Sequence, residues 1–228
     1  MRSKAHGEWL VQLTRLGVFN CYLVREDDGF TLIDTGLPGC AGGILAAARK
    51  HGAPIVRIVI THAHMDHFGS LDALHAALPE AEIAVGAREA RFLAGDLSLD
   101  PDEPQVAPRA MQGGCRTQPT RLLEDGETLA SLQVIAVPGH TPGHLAFFDL
   151  RERTLIVGDS MQTAGGVAVA GTPRPLFPFP ATATWHKPTA LQSARRMRAL
   201  NPARLATGHG PVLDDPLDAM DRAIRAAV

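Results

Sequence analysis

The chain lacks the features that mark disulfide-rich and membrane-spanning proteins. Its 228 residues include three cysteines, Cys21, Cys40 and Cys115, which form no CxxC pair and are too few for a disulfide framework. No run approaches the ~18 apolar residues of a membrane-spanning helix. The N-terminus is polar and has no apolar signal-peptide segment. We therefore expect a cytoplasmic protein that makes no use of a membrane.

The chain also lacks an excess of charge of either sign. Lys and Arg number 22 against 24 Asp and Glu, which gives a formal net charge of -2 with neutral histidine. Nucleic acids and acidic membrane surfaces attract strongly basic proteins. We therefore expect a small-molecule substrate rather than nucleic acid or a membrane as the partner. Aromatic residues in the predicted loops are compatible with a homodimer, although nothing in the sequence requires one.

What remains is an ordinary globular composition, with 45% hydrophobic and 20% charged residues. Short β-prone runs alternate with helical patterns in two halves of the chain, and residues 66–78 and 184–200 are predicted as helices. This alternation predicts one domain over residues 1–228, with two sheets inside and helices outside. Residues 97–120 and 165–180 are rich in proline and glycine and are predicted as long surface loops.

Histidine is the residue type in excess, with ten in a chain that has one tyrosine and two tryptophans. Four metal-ligand side chains fall within the segment His62-Ala63-His64-Met65-Asp66-His67, directly after a predicted buried strand. In extended backbone, residues i and i+2 point the same way, so His62 and His64 can share one ion. Asp66 and His67 lie where the chain turns into a helix, and they can serve a second ion.

Further ligand-type residues follow the same pattern, in which a strand ends, a glycine turn follows and a polar side chain is exposed. They are His140, His144, Asp159 and His209. Each is weak evidence alone, but together with the first motif they favour a metal site. Imidazole and carboxylate ligands without thiolate suit Zn²⁺, and Fe or Mn would also be accepted. The remaining histidines have no motif around them and are predicted to lie on the surface: His6, His51, His75 and His186.

With these motifs the sequence resembles the metallo-β-lactamase fold superfamily of metallohydrolases. The matching residues run in the family's order from the Asp34-Thr35-Gly36 turn to His209. The resemblance implies an α/β fold, namely a four-layer αββα sandwich of two mixed β-sheets with helices outside and two metal ions at one edge. It assigns the first ion to His62, His64 and His140, the second ion to Asp66, His67 and His209, and a bridging position to Asp159.

The resemblance also implies a reaction, in which a hydroxide that bridges two zinc ions attacks a small ester, thioester or lactone. Asp66 would be catalytic, because it would orient the hydroxide and pass a proton to the leaving group. Asp34 is either a turn residue or the partner that orients a histidine ligand. His144 is expected to support the site without binding metal.

The branches of the family differ in features that the sequence can be searched for. Lactamases with a cysteine ligand would need it where Asp159 stands. Glyoxalase II enzymes carry a further helical domain for glutathione, and 19 residues follow His209 (228 minus 209), so we do not expect a glutathione thioester. Lactonase-like members often place a tyrosine where this chain has Gln162.

Candidate substrate contacts follow from this comparison and from the aromatic residues near the motifs. Gln162 would donate a hydrogen bond in place of the tyrosine; the alternative is a loop amide that faces water. Phe68, Phe179 and Trp185 would form an apolar wall or lid; the alternative is core packing.

Two other functions stay open. The first is a mononuclear iron oxidoreductase that resembles the persulfide dioxygenases, which use one iron at positions matching His62, His140 and Asp159. The second is a catalytically idle binding or regulatory protein that keeps its metal. The full set of ligand-type residues favours the two-metal hydrolase over both.

Overall fold

A computed structural model of the protein describes residues 1–111 and 114–227. The strands form two large mixed sheets, and helices cover the outer face of each sheet. The fold is therefore the four-layer αββα sandwich that the family resemblance implies. Among the described residues, no helix is long and apolar enough to cross a membrane.

The first sheet has seven strands, which lie in the order of the sequence. They are β1 (Arg2–His6), β2 (Leu10–Arg15), β3 (Phe19–Glu26), β4 (Gly29–Ile33), β5 (Ile55–Ile60), β6 (Glu82–Gly86) and β7 (Arg121–Leu123). Strands β1 to β4 pair antiparallel, and β4 to β7 pair parallel. Four helices connect or cover these strands: α1 (Ala41–Lys50), α2 (Met65–Phe68), α3 (Leu71–Ala77) and α4 (Ala87–Leu93).

The second sheet has six strands in the order β15-β14-β11-β10-β9-β8. They are β8 (Thr128–Leu129), β9 (Leu132–Ala136), β10 (Leu145–Asp149), β11 (Thr154–Ile156), β14 (Arg204–Ala206) and β15 (Leu213–Asp214). A small hairpin, β12 (Met161–Gln162) with β13 (Ala168–Val169), lies between them in sequence. The remaining helices are α5 (Phe179–Ala183), α6 (Lys187–Ala199) and α7 (Leu217–Ala226).

Three apolar layers hold this sandwich together. The central layer joins the facing sides of the two sheets, with Val59 from the first and Phe147 from the second. The outer face of the first sheet packs on the helices α1, α3 and α4, with Ile44 fully buried. The outer face of the second sheet packs on α6 and α7 through Met197 and Met220. Burial of this apolar surface is the main stabilising contribution to the fold.

Strand direction explains why the polar motifs meet. Strands β4 and β5 are parallel, so both end at the same edge of the first sheet. Strands β9, β11 and β14 also run the same way, because β9 and β11 are each antiparallel to β10 and β14 is parallel to β11. All of the ligand-bearing turns follow these five strand ends.

Several local predictions are corrected by the structure. The helix predicted over 66–78 is two helices separated by Gly69 and Ser70. A Cβ at Gly69 would lie 2.4 Å from the Met65 carbonyl oxygen, so this close approach requires glycine. The helix predicted from residue 184 begins at Lys187, with a proline in its first turn. The predicted loop 165–180 contains β13 and the start of α5.

The N-terminal segment forms a strand, and the prediction for His6 is wrong. Residues 2–6 form the edge strand β1, although their polar composition gives little β signal, because they pair with β2 over five residues. His6, predicted to lie on the surface, is buried and its Nε2 lies 3.1 Å from Gln12 Oε1. The predicted loop 97–120 is confirmed for its described residues, which contain neither helix nor strand.

Candidate metal centre

The ligand-type side chains meet at one edge of the sandwich in two adjoining groups. The first group is His62, His64 and His140, and the second is Asp66, His67, Asp159 and His209. Within each group, the possible ligand atoms lie within 4.8 Å of one another. All of these residues except Asp66 are buried.

His62 and His67 are each held from behind by a hydrogen-bond acceptor. The Thr61 hydroxyl donates to Asp34, so its oxygen is left to accept the Nδ1 proton of His62 at 2.9 Å. The Nδ1 proton of His67 goes to Asp34 Oδ2, at 2.7 Å. Both imidazoles therefore direct Nδ1–H to these acceptors and turn Nε2 toward the site, where it can bind a metal ion once it carries no proton.

His140 and His64 are oriented in the same manner. The Thr184 hydroxyl donates to the Pro180 carbonyl, so it accepts the Nδ1 proton of His140 at 3.2 Å. His64 donates its Nε2 proton to the Arg109 carbonyl at 2.9 Å, which leaves Nδ1 as its free lone pair. The loop 97–120 thus contributes directly to the orientation of one ligand.

The distances between the imidazole nitrogens that face the site can be compared with those around a metal ion. His64 Nδ1 and His140 Nε2 lie 3.0 Å apart, and two lone pairs at this distance repel unless a cation lies between them. A tetrahedral zinc ion with bonds of ~2.0–2.1 Å separates its ligand atoms by about 3.3 Å. His62 Nε2 is buried without a hydrogen-bond partner among the described residues. The first group therefore fits a metal ion.

In the second group, Asp159 is the central residue. Its Oδ1 lies 3.3 Å from His67 Nε2, and its Oδ2 lies 3.1 Å from His209 Nε2 and 3.6 Å from His140 Nε2. Asp66 Oδ2 lies 3.3 Å from His209 Nε2. Asp159 therefore contacts both groups, in the place expected of a ligand shared by two ions.

The protonation of the two groups differs. Burial lowers the pKa of His62, and the neighbouring imidazoles lower it further. Burial also lowers the pKa of His209, but Asp159 and Asp66 outweigh it and raise the value to about 9. Burial raises the pKa of Asp66, but His67 and His209 bring it down to about 2. The second group thus pairs imidazolium with carboxylate, and a divalent cation would displace the imidazolium protons.

A cavity of about 380 Å³ opens beside the two groups. His64, Asp66, Asp159 and His209 form its polar part. The remaining lining residues are mostly apolar: Phe19, Leu37, Met65, Ala110, Phe179, Pro180, Thr182 and Ala183. None of the described lining residues is a lysine or an arginine.

Three predicted substrate contacts lie elsewhere. Phe68 is buried in the core on the outer face of the first sheet, because the short helix α2 turns it inward. Trp185 is buried, and its Nε1 donates to the Val106 carbonyl at 2.6 Å. Gln162 neither faces water nor reaches the cavity, because its amide donates to the carbonyls of Ala164 and Phe177. These three expectations are corrected.

Phe179, the fourth predicted contact, lines the cavity and is 66% exposed. Its ring packs edge to face on Phe177, with centroids 5.4 Å apart. Phe177 in turn lies 4.9 Å from the His209 ring. Gln162 holds this aromatic wall in place through its bond to the Phe177 carbonyl.

Asp34 and His144 lie behind the ligand groups. Asp34 contacts His67 and Thr61, as described above, and its φ of 61° shows that it also serves the turn. His144 belongs to neither group; its ring stacks on His62 at 4.4 Å, and its Nε2 lies 3.1 Å from the Val157 carbonyl. Burial lowers the pKa of His144 to about 3, so it is a neutral packing partner.

Sequence reasoning missed several residues that shape the site. Thr61 and Thr184 orient histidines, and Thr61 could have been noticed because it directly precedes the HxHxDH motif. Phe19 lines the cavity from β3, and no motif marks it. Gly208 directly precedes His209, and a Cβ there would lie 2.3 Å from Asp159 Oδ1.

Comparison with known proteins identifies the family. Residues 15–209 match the Metallo-beta-lactamase superfamily, and the chain belongs to it. It is 46% identical over 212 residues to the uncharacterized protein YobT of Bacillus subtilis (strain 168), covering 91% of this chain and 90% of YobT. It is 30% identical over 218 residues to the probable metallo-hydrolase YflN of the same organism, covering 85% and 81%.

Two further similarities bear on the activity and the metal. The chain is 31% identical over 160 residues to a hydroxyacylglutathione hydrolase of Pectobacterium carotovorum, and it spans about half of that protein, with coverage of 68% and 52%. The crystal structure of TTHA1623 in a di-iron-bound form is 29% identical, with a TM-score of 0.66 and coverage of 93% and 97%. The family and the geometry of the site together place the chain in the class of metal-binding hydrolases.

Proposed function

We propose that the protein is a dinuclear metal hydrolase that cleaves a small ester, thioester or lactone. The observation that supports this most directly is the convergence of two ligand groups, joined by Asp159, on the wall of one cavity. The first ion would be held by His62, His64 and His140. The second would be held by Asp66, His67 and His209, with Asp159 as the ligand common to both.

Two metal ions at these positions would polarise a carbonyl and lower the pKa of a water molecule enough to make it a nucleophile at neutral pH. Among the ligand residues, Asp66 is the most exposed, with 27% of its side chain accessible, and it lines the cavity. Its carboxylate can take up the proton that the attacking water gives up and later pass that proton to the leaving group. The rings of Phe177 and Phe179 make the side of the site next to His209 apolar.

The cavity wall favours a substrate with an uncharged, apolar substituent. Phe19 and Phe179 offer aromatic faces, and the described lining residues include no lysine or arginine that would pair with a substrate carboxylate. A glutathione thioester carries carboxylates on its thiol portion, so it is a poorer match to this wall than a short neutral acyl or lactone ring. We therefore propose neutral substrates ahead of glutathione conjugates.

The metal is proposed to be zinc because histidine and carboxylate ligands suit it. Iron is the second candidate, since the similar TTHA1623 has a di-iron-bound form, and histidine ligands accept iron as well. An iron-dependent dioxygenase of the persulfide type would use a single iron. The three ligand-type residues that join Asp159 in the second group favour two ions and hydrolysis instead.

The experiment is a substrate panel measured on protein loaded separately with zinc, manganese and iron. We expect two metal ions per chain and hydrolysis of neutral esters, thioesters or lactones. Asp159→Ala should lose both second-ion binding and turnover. One iron per chain together with oxygen uptake on a glutathione persulfide would overturn the proposal. Two zinc ions without turnover of any hydrolysable substrate would favour a binding or regulatory role.

A further inference from the structure

Glu89, in the first turn of α4, is a fully buried carboxylate that belongs to neither ligand group. Its Oε1 accepts a hydrogen bond from the Ala63 N–H at 2.7 Å. Its Oε2 accepts one from the Gly143 N–H at 3.0 Å and one from the Thr141 hydroxyl at 3.1 Å. A buried carboxylate is costly unless its oxygens are hydrogen-bonded, and here three donors meet it.

The donors belong to the two loops that carry the first group of histidines. Ala63 stands between His62 and His64 on the loop after β5, in the first sheet. Thr141 directly follows His140 on the loop after β9, in the second sheet. One carboxylate therefore joins two ligand loops that originate in different sheets.

The fit between Glu89 and the second loop is close. A Cβ placed on Gly143 would lie 2.6 Å from the Glu89 backbone nitrogen and 2.7 Å from Glu89 Oε2. Any side chain at this position would therefore push the loop away from the carboxylate. Burial raises the pKa of Glu89 to about 7, while its three hydrogen-bond donors favour the charged form.

We propose that Glu89 is a positioning residue, which fixes the distance between the His62–His64 loop and the His140 loop and so sets the geometry of the first metal ion. The inference rests on the proposed metal site. It predicts that the carboxylate affects metal affinity as well as fold stability, because a small shift of either loop changes the spacing of three ligand atoms. A residue that only supports the core would change stability without a selective effect on one ion.

The test is the zinc affinity of Glu89→Gln, measured by competition with a chromophoric chelator. The glutamine amide can accept from Ala63, but its NH₂ group opposes the Gly143 N–H, so the second loop loses its anchor. We expect zinc binding at the first site to weaken by about 10-fold, the lower end of the effect for residues that support metal ligands. Repeating the measurement in a His209→Ala background isolates the first ion, because that variant removes a ligand of the second.

The matched control is Glu26→Gln. Glu26 is also a buried carboxylate, and it accepts a hydrogen bond from Ser131 Oγ at 2.9 Å. Strand β3 begins beside the site, where Phe19 pairs with His209, and Glu26 lies at its other end. Zinc affinity should stay within about twofold of the native chain in this variant. Equal losses in Glu26→Gln and Glu89→Gln would overturn the inference.

A milder variant keeps the test decisive if Glu89→Gln fails to fold, as judged by circular dichroism. Thr141→Val removes one of the three hydrogen bonds and leaves the carboxylate in place. We expect a loss of zinc affinity in the same direction, about threefold. Unchanged zinc affinity in the folded variants overturns the role of Glu89 alone, whereas a native chain that binds no zinc overturns the proposed function itself.

Discussion

Replacement of Asp34 by asparagine should weaken the second metal ion selectively. Asparagine keeps an oxygen that can accept the Thr61 N–H, which now lies 2.8 Å from Asp34 Oδ1. Its amide nitrogen replaces the oxygen that accepts the Nδ1 proton of His67. Two N–H groups then face each other, so the imidazole moves its proton to Nε2. Nε2 faces Asp159, and its lone pair is the one that the second ion needs from His67.

The magnitude follows from what comparable substitutions do at metal sites. Loss of the group that orients a histidine ligand typically costs 10–100-fold in metal affinity, which corresponds to about 1.4–2.8 kcal/mol. The backbone should not add to this cost, because Asp34 has a φ of 61° and asparagine adopts this left-handed conformation readily. Stepwise competition with a chelator measures the two affinities, and only the affinity of the second site should change.

Asp149→Asn is the control for this experiment. Asp149 is likewise buried, but it closes β10 at the opposite edge of the second sheet, where it pairs with Arg151 at 2.6 Å. Its substitution should leave both zinc affinities within about twofold. If Asp34→Asn also left both affinities unchanged, the tautomer argument for His67 would be refuted.

Three further perturbations test the cavity, a buried carboxylate and the core. Phe179→Ala should raise KM for an apolar ester about fivefold and leave kcat nearly unchanged, since the ring loses about 1 kcal/mol of apolar contact; Leu176→Ala, at an 86% exposed position, should change neither. The pKa of Glu89 rises from 4.5 to about 7 on folding. Between these pH values the carboxyl is protonated in the folded protein and ionised in the unfolded chain. Raising the pH through this window should therefore destabilise metal-free native protein relative to Glu89→Gln, by about 3 kcal/mol in urea unfolding. Met220→Ala should lower the free energy of unfolding by about 2–5 kcal/mol without altering zinc affinity, because Met220 packs between α7 and the second sheet.

The ligand-type residues could be identified from the sequence because each one lies at a characteristic place, directly after the end of a strand. HxHxDH follows a strand and opens a helix, and each remaining ligand-type residue follows a strand end. Parallel strands bring such ends to one edge of a sheet, and the family resemblance adds that the ends of the two sheets meet. The structure places all seven side chains in two groups, with the composition that the family resemblance implies.

The cavity wall was less predictable, because it depends on how loops fold over the site. Phe68 and Phe179 are both aromatic residues near a motif, yet α2 buries one and α5 exposes the other. Gln162 donates hydrogen bonds to two backbone carbonyls, a role that no spacing in the sequence indicates. The role of Glu89 could not be predicted from the sequence either, because its hydrogen-bond partners lie 26 to 54 positions away along the chain.

Helix boundaries failed where tertiary contacts decide them. Residues 66–78 have one helical pattern, but the structure divides them at Gly69, where an added Cβ would lie 2.5 Å from Pro38 Cδ. His6 was predicted to lie on the surface because no motif surrounds it. Its burial comes from edge pairing of β1 with β2, a contact that depends on strand order rather than on composition.

The most direct test of the central claim is an anomalous-diffraction map from crystals of the zinc-loaded protein. We predict two zinc peaks, one contacted by His62 Nε2, His64 Nδ1 and His140 Nε2, and the other by Asp66, His67 and His209, with Asp159 touching both. A single peak, or zinc bound away from these two groups, would contradict the account of a dinuclear hydrolase.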